Sequence, residues 1–382
     1  MYALRPQLRR GSTRLLQASS RRRLQARETL TCLQTRSQAT AASPTSGKRP
    51  SRDNGLAAPS PSQLHSKHAT AGVAAQASYS TVAPAISEPI IHDIFEDVTC
   101  TWQYVVADPV TLTAAIVDPV LDFDPVSRAI TTNSADKLLS VVKENGYKVS
   151  RILETHAHAD HLTAASYLQK RLGDEQGGFQ PSIGIGKRIG GVQKFFGTRY
   201  GVPGEEYSVV FDKLFEDEET FKIGSLDASV MHLPGHTPDH IGYRIGDNVF
   251  CGDSIFHTDI GTARCDFPGG SASTLFQSTH KLLELPDTVK IWVGHDYPPE
   301  GRDGPVAWAS VKDHKAENKH LKAGVTEEEF VALRNKRDAG LGEPRLLHQS
   351  LQVNIRGGRL PLPNDRGERM LLTPLNTRGA EW

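Results

Sequence analysis

The sequence predicts an α/β fold in which two β-sheets carry helices on their outer faces. Three observations lead there. Short strand-like apolar runs recur from about residue 88 onward. Amphipathic stretches of helical period fall between several of them. Most of the runs end on a polar cluster containing histidine or aspartate.

The elements follow in order. WQYVV (102–106) and TLTAAIVDPV (111–120) read as two strands joined by a short Asp-Pro turn. SADKLLSVVKENGY (134–147) has helical apolar spacing, with Ser134 as its cap and Gly146 near its end. KVSRILET (148–155) is a strand that runs directly into a histidine cluster, and LTAASYLQKRLG (162–173) is the helix beyond it, closed by Gly173. SIGIG (182–186), ETFKIG (219–224) and LDASVMHLPG (226–235) are further strands. HIGYRIGDNVFCGDSIF (240–256) holds two short strands meeting at Gly246-Asp247, and TVKIWVGHD (288–296) is the last strand. Helices are predicted near 272–284, 307–322 and 326–337. No P-loop is present, and Gly184-Ile185-Gly186 lacks the strand–turn–helix setting of a dinucleotide fingerprint.

Composition bounds the rest. The 382 residues carry 44 basic and 44 acidic side chains, so no nucleic-acid footprint is expected. No window has the length and apolarity of a membrane span. Four cysteines, Cys32, Cys100, Cys251 and Cys265, form no CxxC pair, which fits a reducing compartment. The first 50 residues are rich in arginine, with Arg21, Arg22 and Arg23 in a run, against the single acid Glu28. That pattern predicts a mitochondrial transit peptide over 1–45. A Ser-, Thr-, Ala- and Pro-rich stretch over 46–87 is expected to be a disordered linker. The main domain is placed at 88–345. A C-terminal extension at 346–382 is expected to pack on it, with flexible last residues. Without its basic leader the domain is mildly acidic.

The stretch ETHAHADHLTAA (154–165) holds three histidines and one aspartate within six positions: His156, His158, Asp160 and His161. Later come His236 in LPGHTPDH, Asp253 in CGDSIF and His295 in VGHDYPP, each after a predicted strand. One histidine alone would be an ordinary hydrogen-bonded residue. Crowded imidazoles on an apolar-flanked loop repel one another on protonation and lose hydration unless a cation compensates. The cluster therefore points to metal.

This pattern resembles the metallo-β-lactamase superfamily over roughly residues 95–340. The resemblance implies an αββα sandwich of two mixed sheets flanked by helices, with the metal site at one edge. It also implies a first site of His156, His158 and His236, a second of Asp160, His161 and His295, and Asp253 between them. CGDSIFHTDIGTARCDFPGG (251–270), with KAENKHLKAGVTEEEFVALRNKRD and PRLLHQSLQVNIRGG in the tail, is similar to the persulfide dioxygenase group, in its β-lactamase hydrolase-like branch. That group implies oxidation of glutathione persulfide by O2 and water to sulfite and glutathione, in sulfide catabolism. It uses one nonheme Fe(II) per subunit, held by His156, His236 and Asp253. Two imidazoles and one carboxylate leave coordination positions open for substrate and O2.

Under the same resemblance His158, Asp160, His161 and His295 surround the metal or hold a second one, with Asp160 and His161 orienting ligands or water. Tyr297 offers a phenol to the site, or is an ordinary half-buried tyrosine. Arg264 either orients glutathione or pairs with Asp266. Lys187, Arg188 and Arg199 either meet glutathione carboxylates or are solvated surface. Better-known members carry Gly-Cys-Gly-Arg where this chain has Gly261-Thr262-Ala263-Arg264. Cys265 is not needed as a nucleophile, and Cys251 reads as a small core residue. The competing reading is a dinuclear Zn(II) hydrolase of the hydroxyacylglutathione hydrolase or lactamase-like type. Expected partners are glutathione persulfide and O2, with no nucleic acid and no membrane span, and related enzymes imply a homodimer. The expected location is the mitochondrial matrix, or the cytoplasm if the leader is not a transit peptide.

Overall fold

The computed structural model describes residues 88–377 and Gly379. The expected transit peptide, the linker, Cys32 and the last few C-terminal residues lie outside the described residues. The chain opens with β1 (Ile90–Glu96), β2 (Thr101–Ala107) and β3 (Thr113–Val117), followed by β4 (Val120–Asp124), β5 (Ala129–Thr131) and α1 (Asn133–Glu144). Next come β6 (Lys148–Leu153), β7 (Leu162–Thr163), α2 (Ala165–Glu175), β8 (Ser182–Gly186), α3 (Ile189–Tyr200) and β9 (Lys213–Phe215). The second half holds β10 (Thr220–Ile223), β11 (Leu226–His232), β12 (Ile241–Ile245), β13 (Asn248–Phe250), α4 (Ala272–Leu283), β14 (Lys290–Trp292) and β15 (Trp308–Ser310). It closes with α5 (Val311–Glu317), α6 (Glu327–Asp338) and α7 (Leu347–Asn354).

Two six-stranded mixed sheets result, ordered β1-β2-β3-β6-β8-β9 and β10-β11-β12-β13-β14-β15, with a small β5-β4-β7 sheet beside them. The layering follows from side-chain alternation. In β2, Trp102, Tyr104 and Val106 point into a core shared with Phe221, Val230, Tyr243 and Phe250 of the other sheet. Val105 and Ala107 point the opposite way, onto Leu138 of α1 and Leu168 of α2. The outer face of the second sheet packs Val249 and Ile291 under Leu275 of α4 and Phe330 of α6. The architecture is the expected αββα sandwich.

Several local readings are corrected. Ser134 is not the cap of α1: Thr132 precedes that helix, and the Ser134 amide and hydroxyl donate to Asp122 of β4 at 3.0 and 2.6 Å. The run 111–120 breaks at Asp118, which adopts φ 48° and turns the chain from β3 into β4. Leu162 and Thr163 pair with β4 instead of opening a helix, and α2 continues past Gly173 to Glu175. The stretch 307–322 divides, because Trp308 pairs with Trp292 as an edge strand and a Ser310–Asp313 capping box starts α5 only at Val311.

Asp108, at the end of β2, ties the two sheets together. Its carboxylate accepts from the Val110 amide (3.0 Å), the Thr111 hydroxyl (2.6 Å), and the Ser225 amide and hydroxyl (2.6 and 2.8 Å) in the β10–β11 turn. Burial opposes its ionisation, but these donors outweigh it and hold the carboxyl well below its usual range. Asp108→Ala is expected to cost about 2–3 kcal/mol in urea unfolding at neutral pH. A depressed folded pKa contributes stability above the unfolded value. The gap to wild type should therefore narrow progressively below about pH 4.

Candidate metal centre

The site forms where β6, β11, β13 and β14 release their C-terminal ends at one edge of the sandwich. The β6 end leads into His156, His158, Asp160 and His161; the loop after β11 carries His236; Asp253 follows β13; His295 follows β14. One atom each from His156, His236 and Asp253 lie within 4.8 Å of one another, and all three residues are buried. His236 Nε2 is 3.6 Å from Asp253 Oδ2. His156 Nε2 and Asp253 Oδ1 are buried without a hydrogen-bond partner among the described residues. Such orphaned acceptors are what a cation would satisfy.

The hydrogen bonds behind the rings set their tautomers. The Thr155 hydroxyl donates to Asp118 Oδ2 at 2.8 Å, so at 3.0 Å from His156 Nδ1 its oxygen is left to accept that ring's proton. His236 Nδ1 donates to the Arg264 carbonyl at 2.7 Å. Both rings therefore turn an unprotonated Nε2 toward Asp253, the arrangement a metal ligand needs. Burial, reinforced by His158, His240 and His236, holds His156 well below the usual histidine range and keeps it neutral. The Asp253 amide donates to His240 Nε2 at 3.0 Å. Gly252, at φ 48°, allows this approach, since a Cβ there would lie 2.5 Å from Thr155 Oγ1.

His158 faces a different group. Its Nε2 lies 3.1 Å from Asp118 Oδ1 and 3.4 Å from Glu154 Oε2. Burial disfavours its charge, but Asp118 and Glu154 together outweigh burial and raise its pKa well above normal. His158, Asp160 and His161 form a second close group. Asp160 Oδ2 is 3.2 Å from both His161 Nδ1 and His295 Nε2, and His295 Nε2 is 3.4 Å from Asp253 Oδ1. Burial pulls His295 down, yet the Asp253 and Asp160 carboxylates hold it above its ordinary value. All seven sequence-predicted residues thus gather in one place, as two adjoining groups joined through His295 and Asp253.

Residues 102–295, about half the chain, match the family described as the Metallo-beta-lactamase superfamily. The chain belongs to that superfamily. Among metallo-beta-lactamase relatives, it is 45% identical over 300 residues to the "Beta-lactamase hydrolase-like protein" of Xylella fastidiosa (strain 9a5c), covering 78% of this chain and 68% of that one. It is 28% identical over 272 residues to the "Persulfide dioxygenase ETHE1, mitochondrial" of Bos taurus, covering 70% and 89%. The crystal structure of ETHE1 from Myxococcus xanthus aligns with a TM-score of 0.56 at 28% identity, over 71% of this chain and all of that one. The His/Asp cluster is accordingly the metal-binding site of a metallo-beta-lactamase fold.

The remaining candidates have partners of their own. The Arg264 guanidinium is paired in bidentate fashion with Asp266 (2.6 and 2.5 Å) and reaches the Gly342 carbonyl at 2.9 Å. Its main-chain oxygen, not its side chain, touches a cluster residue. Tyr297 is 46% exposed, and its ring lies nearly parallel to that of His295 at 5.9 Å. Lys187 pairs with Glu216, Arg188 with Asp217, and Arg199 approaches Glu343 at 3.8 Å. Burial pushes the Cys265 and Cys251 thiols up to about 12, which keeps both protonated at neutral pH. Sequence reading missed Asp118, Thr155, His240 and Asn354. No helix among the described residues is long and apolar enough to cross a membrane.

Proposed function

We propose that this protein is a persulfide dioxygenase that oxidises glutathione persulfide with O2 and water to sulfite and glutathione. One observation carries the reading: His156, His236 and Asp253 face a single point, with both imidazoles held from behind through Nδ1. His158, by contrast, has its Nε2 turned to Asp118 and Glu154. Two imidazoles and one carboxylate with open positions suit a nonheme iron(II) centre. Bound there, iron(II) supplies the redox chemistry for O2 that zinc lacks. The reaction balances without another reductant. The sulfane sulfur gives up four electrons, O2 accepts them, water supplies the third sulfite oxygen, and the S–S bond breaks to release the carrier thiol.

The chain's own groups prepare the site for this. Thr155 and the Arg264 carbonyl hold the two ring tautomers, and His240 fixes the backbone of Asp253. Asp160, shared between His161 and His295, orients water or substrate beside Asp253. Tyr297 meets the substrate from the solvent side, and Arg264, through Asp266, keeps the loop under His236 in place. The bovine persulfide dioxygenase is named mitochondrial. With the arginine-rich leader, that supports a mitochondrial matrix address for this chain as well.

A second reading, a dinuclear zinc hydrolase, is favoured by the adjoining His158, Asp160 and His161 group. Protein purified without oxygen separates the two. The dioxygenase should carry about one iron per chain and take up about one O2 for each sulfite formed from glutathione persulfide. Two zinc ions per chain, with cleavage of an acylglutathione thioester in the absence of O2, would overturn it.

A further inference from the structure

We infer that Asn354, the last residue of α7, is a positioning residue of the metal centre, and that the C-terminal segment is thereby part of it. The Asn354 amide donates to two main-chain carbonyls of the histidine loop, those of His158 and His161, both at 2.8 Å. Its oxygen accepts from the Thr163 amide, also at 2.8 Å. Three bonds from one buried side chain therefore pin both ends of the turn that carries His158, Asp160 and His161. Between β6 and β7 that turn has no regular structure of its own to hold it. Its carbonyls would otherwise be buried without partners.

The rest of the segment is built to bring Asn354 there. Leu347, Leu351 and Ile355 sink into a core with Ala157, Ala159, Ile189 and Phe196. Gln193 of α3 donates to the Ile355 carbonyl at 2.9 Å, and Arg356 reaches Glu206 at 2.7 Å. Gly358, at φ 83°, passes so close to the loop that a Cβ would sit 3.0 Å from the Ser166 amide nitrogen and 3.1 Å from the Thr163 carbonyl. Asn354 touches no substrate position. It acts through the backbone of the loop, whose shape decides where His156, Asp160 and His161 stand. The inference rests on the metal-binding character of the cluster, and not on the reaction proposed above.

Asn354→Leu keeps the branching of the side chain and removes all three bonds without adding charge. Gln352→Ala is the comparison, because Gln352 holds the tail through the amide and carbonyl of Leu372 and touches no residue of the loop. The probe is Co(II), titrated in competition with a chromophoric chelator. N354L should bind Co(II) about 10- to 100-fold more weakly, with an altered visible ligand-field spectrum, while Q352A stays within about twofold of wild type. Equal affinity and an unchanged spectrum in N354L, or an equal loss in Q352A, would overturn the assignment. Hydrogen exchange on the unmutated protein covers the case in which N354L does not fold. Coupling is reciprocal, so loading Co(II) should slow amide exchange in 347–354 as well as in the loop. Slowing confined to the loop would overturn it equally. Neither readout depends on persulfide turnover, so a failure of the dioxygenase reading leaves this test intact.

Discussion

Asp253→Ala is expected to leave a folded protein that no longer retains metal on gel filtration and in which the proposed persulfide oxidation falls by at least about a thousandfold, equivalent to roughly 4 kcal/mol. Asp253 is the one carboxylate in the cluster with His156 and His236, and without it two neutral rings face a divalent cation alone. The fold should survive, because the hydrogen bond that fixes this stretch of backbone runs from the Asp253 amide to His240. Without metal, the Asp253 carboxylate faces His236 and His295 at 3.6 and 3.4 Å, while its Oδ1 makes no hydrogen bond. Losing that ion pairing offsets the relief of a buried carboxylate, so the metal-free variant should melt close to metal-free wild type. Metal analysis, sulfite assay and thermal melts after chelation check the three parts. Retained metal and turnover in the variant would remove Asp253 from the ligand set.

Asp338→Ala should be the more damaging change for folding, costing about 3–5 kcal/mol. Arg334 and Asp338 of α6 are both buried and paired with each other. Asp338 also accepts from the Cys265 amide at 2.9 Å, and Arg334 donates to the Thr262 carbonyl at 3.2 Å. Removing the carboxylate leaves a buried guanidinium without its counter-charge and a loop amide unpartnered. The loop concerned carries the Arg264 carbonyl that orients His236, so metal affinity should fall with stability. An Arg334→Met/Asp338→Leu double variant should recover much of the folding loss, because no charge is then stranded. Chemical denaturation of D338A, of the single variants R334M and D338L, and of the double variant measures the pair. If D338A loses less than about 1 kcal/mol, the pair is not the anchor described.

The sandwich was legible because its strands are short apolar runs and its helices amphipathic. The ligand residues were legible because four of them fall within six positions and the others follow strands. Reading failed where the deciding partner is distant in sequence. Ser134 resembles a cap until Asp122, twelve residues earlier, claims both its amide and its hydroxyl. Residues 308–310 look helical until Trp292 pairs with Trp308. α3 escaped notice because Gly190, Gly191 and Gly197 weaken its helical signal. The supports of the centre were hidden for the same reason. Asp118 lies 40 residues from His158, and Asn354 lies 196 residues from it.

The carbonyl of Arg264 beneath His236 has a consequence for how variants at that position should be interpreted. A main-chain oxygen survives every side-chain replacement, so a scan of residue 264 leaves this acceptor standing and measures the grip on Asp266 and Gly342 instead. What a variant at this point must preserve is the path of the peptide, which the Arg264–Asp266 pair helps to hold and which proline insertions or loop-length changes would displace outright.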